Sequence, residues 1–163
     1  MKKFFLIIAA LLMTVTASAQ FQAGKGYIGS SLTGLNLRYN GAEDLNLGVE
    51  AKAGFLFQDN WMMLGMASFE HNGSDAVADH FTIGAGLRYY IIQNGLYLGA
   101  NAKFTHANHS YNDLVPGVEV GYAFFINRSV TIEPAIYYDQ SFKNSDYSTI
   151  GLKIGIGIYL FDD

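Results

Sequence analysis

A repeat of polar breaks, 34 residues apart, constrains this chain more than any other feature of its sequence. The breaks contain Asp59, Gln93 and Asn127, each 34 residues after the one before. Residues 26–161 therefore divide into four units, and each unit has a longer polar segment near its middle, at about 36–44, 71–79, 106–113 and 140–146. The pattern predicts eight strands, joined alternately by three tight turns and four longer loops.

Within these units the residues alternate between two chemical classes. From Leu45 to Phe55 the odd positions are apolar and the even positions are polar or glycine, and the last predicted strand, residues 150–160, alternates in the same way. A period of two places one face of each strand in each of two media. The stretch from Trp61 to Glu70 is apolar on both faces, and the first strand is expected to carry a bulge near Gly34.

Aromatic side chains cluster toward both ends of the predicted strands. On the turn side they include Tyr27, Phe55, Trp61, Tyr89, Tyr97, Tyr122, Phe124 and Tyr159, and on the loop side Tyr39, Phe69, Phe81, Phe104, Tyr137, Tyr138 and Tyr147. Strand centres such as 82–88 and 148–158 contain none. Two aromatic belts around an aliphatic band match the two interfaces of a bilayer, whereas a soluble barrel such as a lipocalin has no reason for ring-free centres.

The distance between the belts also fits a membrane. The spans from Trp61 to Phe69 and from Tyr147 to Tyr159 project to roughly 20–30 Å, which brackets the ~25 Å apolar band of a membrane barrel. The sequence therefore predicts an all-β protein, an eight-stranded antiparallel up-and-down transmembrane β-barrel.

The first residues have the three regions of a secretory signal peptide. Lys2 and Lys3 precede an apolar run over residues 4–13, and Ala17-Ser18-Ala19 forms a small-residue cleavage site. The run is too short for a transmembrane helix, so a membrane anchor is the weaker alternative. We predict a signal peptide over 1–19 and a single barrel domain over 20–163.

The charge of the chain argues against a nucleic-acid-binding protein, and its cysteine content excludes a disulfide-stabilised one. The formal net charge of −4 disfavours nucleic-acid binding, which needs clustered Lys and Arg to neutralise phosphates. The sequence contains no cysteine, so disulfides do not stabilise the fold.

The face opposite the aliphatic one is rich in glycine and also carries charge. Its charged residues near mid-strand are Glu50, Lys52, Arg88, Lys103, Glu119, Glu133 and Lys153. Eight strands enclose space only for side chains, and an unpaired buried charge is costly, so we expect one hydrogen-bonded ionic network. Such a network is either a gate that rearranges to admit ions or a plug that specifies closure and register. We favour the plug.

With these features the chain resembles the small OmpA-like and OmpX-like outer-membrane barrels over residues 20–163. The last strand looks like the signal that the barrel-assembly machinery reads during insertion, with Lys153, Gly155, Ile158, Leu160 and Phe161 at its positions. Two aspartates follow Phe161, where that signal often ends in an aromatic residue. The resemblance implies an integral outer-membrane monomer with both termini in the periplasm, in contact with outer-membrane lipid and lipopolysaccharide. It implies location more than activity.

Lipid A modification and metal or haem binding are the two kinds of chemistry that this part of the sequence could also offer. Some barrels of this size modify lipid A, but here the loop residues His109 and Ser110 are adjacent, so they point to opposite faces of a strand and no enzyme is predicted. The histidines His71, His80, His106 and His109 lie near Asp75 and Asp79. Because no tight ligand spacing is present, we interpret them as solvated loop residues and expect no metal or haem cofactor.

Binding of a partner by the loops is the remaining candidate function, since binding residues are often carried by loops on a rigid scaffold. The polar loop residues include Asn40, Glu43, Asp44, Asn72, Asp75, Asn108, Tyr111, Asn112, Asp113, Lys143, Asn144 and Asp146. They contain no diagnostic motif. The sequence predicts a structural or surface-interaction role with a plugged lumen, with a narrow gated, porin-like channel as the alternative and a lipid A-modifying enzyme as the second alternative.

Overall fold

The computed structural model describes residues 21–35, 47–71, 80–91, 95–107, 111–142 and 148–160, so the predicted signal peptide lies outside the described residues. Its strands are β1 Gly26–Leu35, β2 Leu47–Gln58, β3 Trp61–His71, β4 His80–Tyr90, β5 Leu96–Ala107, β6 Tyr111–Tyr122, β7 Phe124–Phe125, β8 Val130–Asp139 and β9 Thr149–Leu160. Within these ranges no helix is long and apolar enough to cross a membrane.

The described strands close into an antiparallel barrel of eight strands. From β1 to β6 each strand pairs with its neighbour along the chain, β8 pairs with β9, and β1 pairs with β9 to complete the ring. The short β7 continues β6 after an interruption at Ala123, and β6 and β7 both pair with β8. Because β6 and β7 together form one wall element, the predicted eight-stranded up-and-down barrel is confirmed.

Irregular backbone positions lie at the predicted bulge and at two of the predicted tight turns. The register between β1 and β9 shifts between Thr33 and Leu35, which confirms the bulge expected at Gly34. At the first tight turn Asn60 adopts a φ of 65°, a left-handed conformation that asparagine tolerates. At the turn between β7 and β8 the side-chain oxygen of Asn127 accepts hydrogen bonds from the backbone N–H groups of residues 129 and 130, each at 2.8 Å.

The bounds predicted for the loop over 106–113 are wrong, because both flanking strands extend into this range. β5 continues to Ala107 and β6 begins at Tyr111, so both strands extend past the apolar band. His106 and Asn112 face each other across this extension, and His106 Nδ1 lies 2.7 Å from Asn112 Oδ1. Polar side chains end the lipid-facing band, but backbone pairing between strands does not depend on apolar side chains and therefore continues.

The alternation separates an apolar exterior from a packed interior. On β9 the even positions 150–160 are exposed and the odd positions 151–159 are buried. The same rule resolves β3, in which Met62 and Leu64 face the interior and Trp61 and Met63 face outward. The exterior is thus the lipid-facing side that the sequence predicts.

The aromatic belts need one correction. Four of the predicted belt residues are buried in the interior rather than placed at a lipid interface, because they share the inward-facing positions of their strands: Tyr27, Tyr97, Tyr137 and Tyr159. Rings that do face outward remain at both ends, including Phe55, Phe57, Trp61 and Phe124 on the turn side and Phe69, Phe81, Phe104 and Tyr138 on the loop side.

Candidate functional site in the lumen

Arg88 of β4 lies in the barrel interior and is fully buried. Its Nη2 donates to Glu119 Oε1 at 3.0 Å, and its Nη1 donates to Glu133 Oε2 at 2.9 Å. The guanidinium carbon also lies 3.9 Å from the centre of the Tyr97 ring, a cation–π contact. One side chain from β4 therefore connects β5, β6 and β8 across the lumen.

Glu133 receives further hydrogen bonds on both of its oxygens. The Tyr27 hydroxyl donates to Oε2 at 2.9 Å, and the Thr131 hydroxyl donates to Oε1 at 2.9 Å. The Tyr159 hydroxyl also donates to Oε1, at 3.3 Å. Together with Arg88, these hydroxyl groups supply the hydrogen bonds that replace the hydration the buried Glu133 carboxylate has lost.

The network continues toward the loop side through Lys153. Its Nζ pairs with Glu119 and lies 3.7 Å from Glu50 Oε1. The same Glu50 oxygen lies 3.0 Å from Lys52 Nζ and accepts a hydrogen bond from Ser31 at 3.0 Å. Three cations and three anions from five strands therefore form one connected and formally neutral cluster, which we call the ionic plug: Glu50, Lys52, Arg88, Glu119, Glu133 and Lys153.

Lys103 stands apart from the ionic plug. Its Nζ pairs with Asp139 Oδ2 at 2.7 Å, nearer the loop side. Asp139 is not among the charged lumen residues predicted from the sequence, although it shares the inward-facing odd positions of β8 with Glu133 and Tyr137. Extending the alternation to the end of that strand would have found it and would have balanced the charge of the lumen.

Glycines on the inner face leave room for particular large side chains. A Cβ built on Gly99 would lie 2.5 Å from Glu119 Cγ, and one on Gly151 would lie 2.7 Å from Tyr137 Cζ. Real Cβ atoms do not approach other atoms this closely. The glycines therefore act as sites of close approach across the narrow lumen.

Below the ionic plug, the turn-side end of the lumen is filled with aromatic rings. The Tyr90 and Tyr159 hydroxyls are 2.6 Å apart, and Phe21 stacks on Tyr90. Leu56 and Met62 pack in the same buried cluster. No pattern in the strands predicts this use of Phe21, because it precedes β1.

The other predicted sites are only partly covered by the described residues. Lys153 and Gly155 of the assembly signal face inward, Ile158 and Leu160 face outward, and Phe161 lies outside the described residues. His71 and His80 end β3 and begin β4, whereas His109, Ser110, Asp75 and Asp79 lie outside the described part. No group of three or more metal-ligating side chains occurs among the residues described.

Comparisons of whole structures place the fold among known barrels. A de novo designed transmembrane β-barrel has a TM-score of 0.55 at 13% identity, covering 85% of this chain and 98% of that chain. Neisserial surface protein A (NspA) has a TM-score of 0.55 at 12% identity, covering 82% of this chain and 95% of that chain. The outer-membrane protein Ail of Yersinia pestis has a TM-score of 0.55 at 13% identity, covering 83% of this chain and 97% of that chain.

Sequence comparison adds no closer relative. No protein-family model matches the chain. No curated protein matches it in sequence. At identities this low, structural similarity establishes the fold and not the activity. The closed ring of eight strands, the apolar exterior and these structural neighbours together show that the chain has the fold of the small outer-membrane β-barrels.

Proposed function

We propose that this protein is a monomeric integral outer-membrane barrel with a structural or surface-interaction role and a closed lumen. A cleaved leader exports it, the barrel-assembly machinery inserts it through the β9 signal, and both termini lie in the periplasm. Its exterior contacts outer-membrane lipid and lipopolysaccharide. The observation that carries the closed lumen is the ionic plug, whose buried charges are all paired with opposite charges.

Ion passage would require this cluster to break. Separating Arg88 from Glu119 and Glu133 leaves buried charges without partners, which is strongly unfavourable in a narrow lumen. A neutral cluster also offers no excess charge to attract a permeating ion. These points favour the plug over the gated channel.

The closed lumen is tested by reconstitution in planar bilayers. We expect the parent protein to give no large, stable conductance. The variant Arg88→Ser/Glu119→Ser removes one cation and one anion, so it stays neutral but loses two large side chains from the lumen, and we expect brief small currents. A steady porin-sized current from the parent would contradict the closed lumen.

The orientation is tested by labelling epitopes on whole cells. An epitope inserted within residues 72–79 is expected to bind antibody on intact cells, because longer loops of bacterial barrels are extracellular. The same epitope inserted between Asn127 and Arg128 is the matched control, expected to bind only after the outer membrane is permeabilised. The opposite labelling pattern would reject the proposed orientation.

A further inference from the structure

The segment before β1, residues 21–25, folds beneath the turn-side mouth of the barrel. Phe21 has a relative exposure of 0% although it lies outside every described strand. Its ring stacks on Tyr90 with 3.8 Å between centroids and an interplanar angle of 11°. It also contacts Tyr159 edge-on at 5.7 Å and Phe125 at 5.6 Å. These three rings form an aromatic socket for Phe21.

The backbone of the segment is fixed to the first tight turn. The Asn60 N–H donates to the Phe21 carbonyl at 2.8 Å, and the Ala23 N–H donates to Asp59 Oδ1 at 2.9 Å. Gly24 has a φ of 92°, a conformation that turns the chain from the mouth into β1. The segment is therefore held by its own hydrogen bonds as well as by the Phe21 ring, and these bonds lie outside the barrel wall.

A cavity lies farther inside the barrel than the socket. It is lined by Tyr27, Ser31, Lys52, Tyr97, Glu133 and Lys153, and thus borders the ionic plug. Phe21 belongs to the buried aromatic cluster that lies between this polar interior and the turn side. We propose that residues 21–25 are a latch: Phe21, docked in the aromatic socket, seals the turn-side mouth, and its release admits water to the buried end of the lumen.

A single thiol beside the socket reports the state of the latch. Met62 is fully buried, and its Sδ lies 3.9 Å from the Tyr90 hydroxyl. Because the sequence has no cysteine, Met62→Cys supplies one reactive site. In lipid nanodiscs, we expect Phe21→Ala to raise the rate of its alkylation by iodoacetamide at least about tenfold, since the buried ring is lost. Phe57→Ala is the control, because Phe57 lies at the same end but faces lipid, and it should leave the rate unchanged.

A second variant keeps the test valid if Phe21→Ala folds poorly. Asp59→Ala removes only the acceptor for the Ala23 N–H, so we expect about a fivefold faster reaction from the loss of one hydrogen bond. Folding is checked by the heat-dependent shift in electrophoretic mobility.

The latch proposal rests on the proposed closed barrel, but different results would contradict each of the two. Slow alkylation in both folded variants, or fast alkylation in the Met62→Cys parent, would overturn the latch alone. A steady current from the parent would overturn the closed lumen.

Discussion

Replacing Arg88 with methionine is expected to lower the free energy of unfolding by about 3–5 kcal/mol. The methionine fills much of the same space but leaves Glu119 and Glu133 buried without their shared cation. An uncompensated buried carboxylate is far more costly than a missing exposed ion pair. Trp61, the only tryptophan of the chain, faces lipid, so its fluorescence in phospholipid vesicles should follow urea-induced unfolding.

Two comparisons show whether pairing causes this loss. Lys103→Met breaks a pair nearer the loop side, whose side chains retain 12% and 14% exposure, so we expect a smaller loss of roughly 1–2 kcal/mol. Adding Glu133→Gln to Arg88→Met should cost less than Glu133→Gln in the parent, because the carboxylate has then already lost its cation. Equal losses for Arg88→Met and Lys103→Met would argue against a special role for the buried network.

The fold could be predicted from the sequence because a barrel in lipid imposes a strict rule on every strand. Alternation decides which face meets lipid, and it also resolves β3, where both faces are apolar but the even positions, among them Met62, Leu64 and Met66, turn inward. Asp139 follows the same alternation at the last position of β8, so the sequence carries the signal for it as well. The bounds predicted for the loop at 106–113 differ from the structure because polarity marks the edge of the membrane and not the end of a strand.

The buried position of Phe21 could not be predicted, for a different physical reason. It belongs to no strand, so no periodicity assigns it to a face, and its place depends on a socket assembled from β4, β7 and β9. Likewise, the sequence predicts which charges enter the lumen but not which of them pair, because pairing depends on the register and height of strands far apart in the chain. Lys103 illustrates this, since it meets Asp139 rather than a member of the ionic plug.

A second large loss of stability is predicted for substitution of a glycine on the inner face. Gly99→Ala is expected to lower the free energy of unfolding by about 2–3 kcal/mol, the usual range for an overpacked interior. The new Cβ would lie 2.5 Å from Glu119 Cγ and 2.9 Å from its Oε1. Glu119 cannot yield cheaply, since moving it would break its pairs with both Arg88 and Lys153.

Gly65→Ala is the matched control, because Gly65 is also a strand glycine but faces outward. A Cβ there meets only the Ala53 carbonyl oxygen, at 3.9 Å. With no clash, alanine should leave stability unchanged or raise it by up to about 1 kcal/mol, since it restricts the unfolded chain. Both variants are measured by the same urea titration of Trp61 fluorescence. If the two alanines had equal effects, the loss at Gly99 would reflect strand glycine in general, and close approach to Glu119 would not explain why glycine occupies the inner wall.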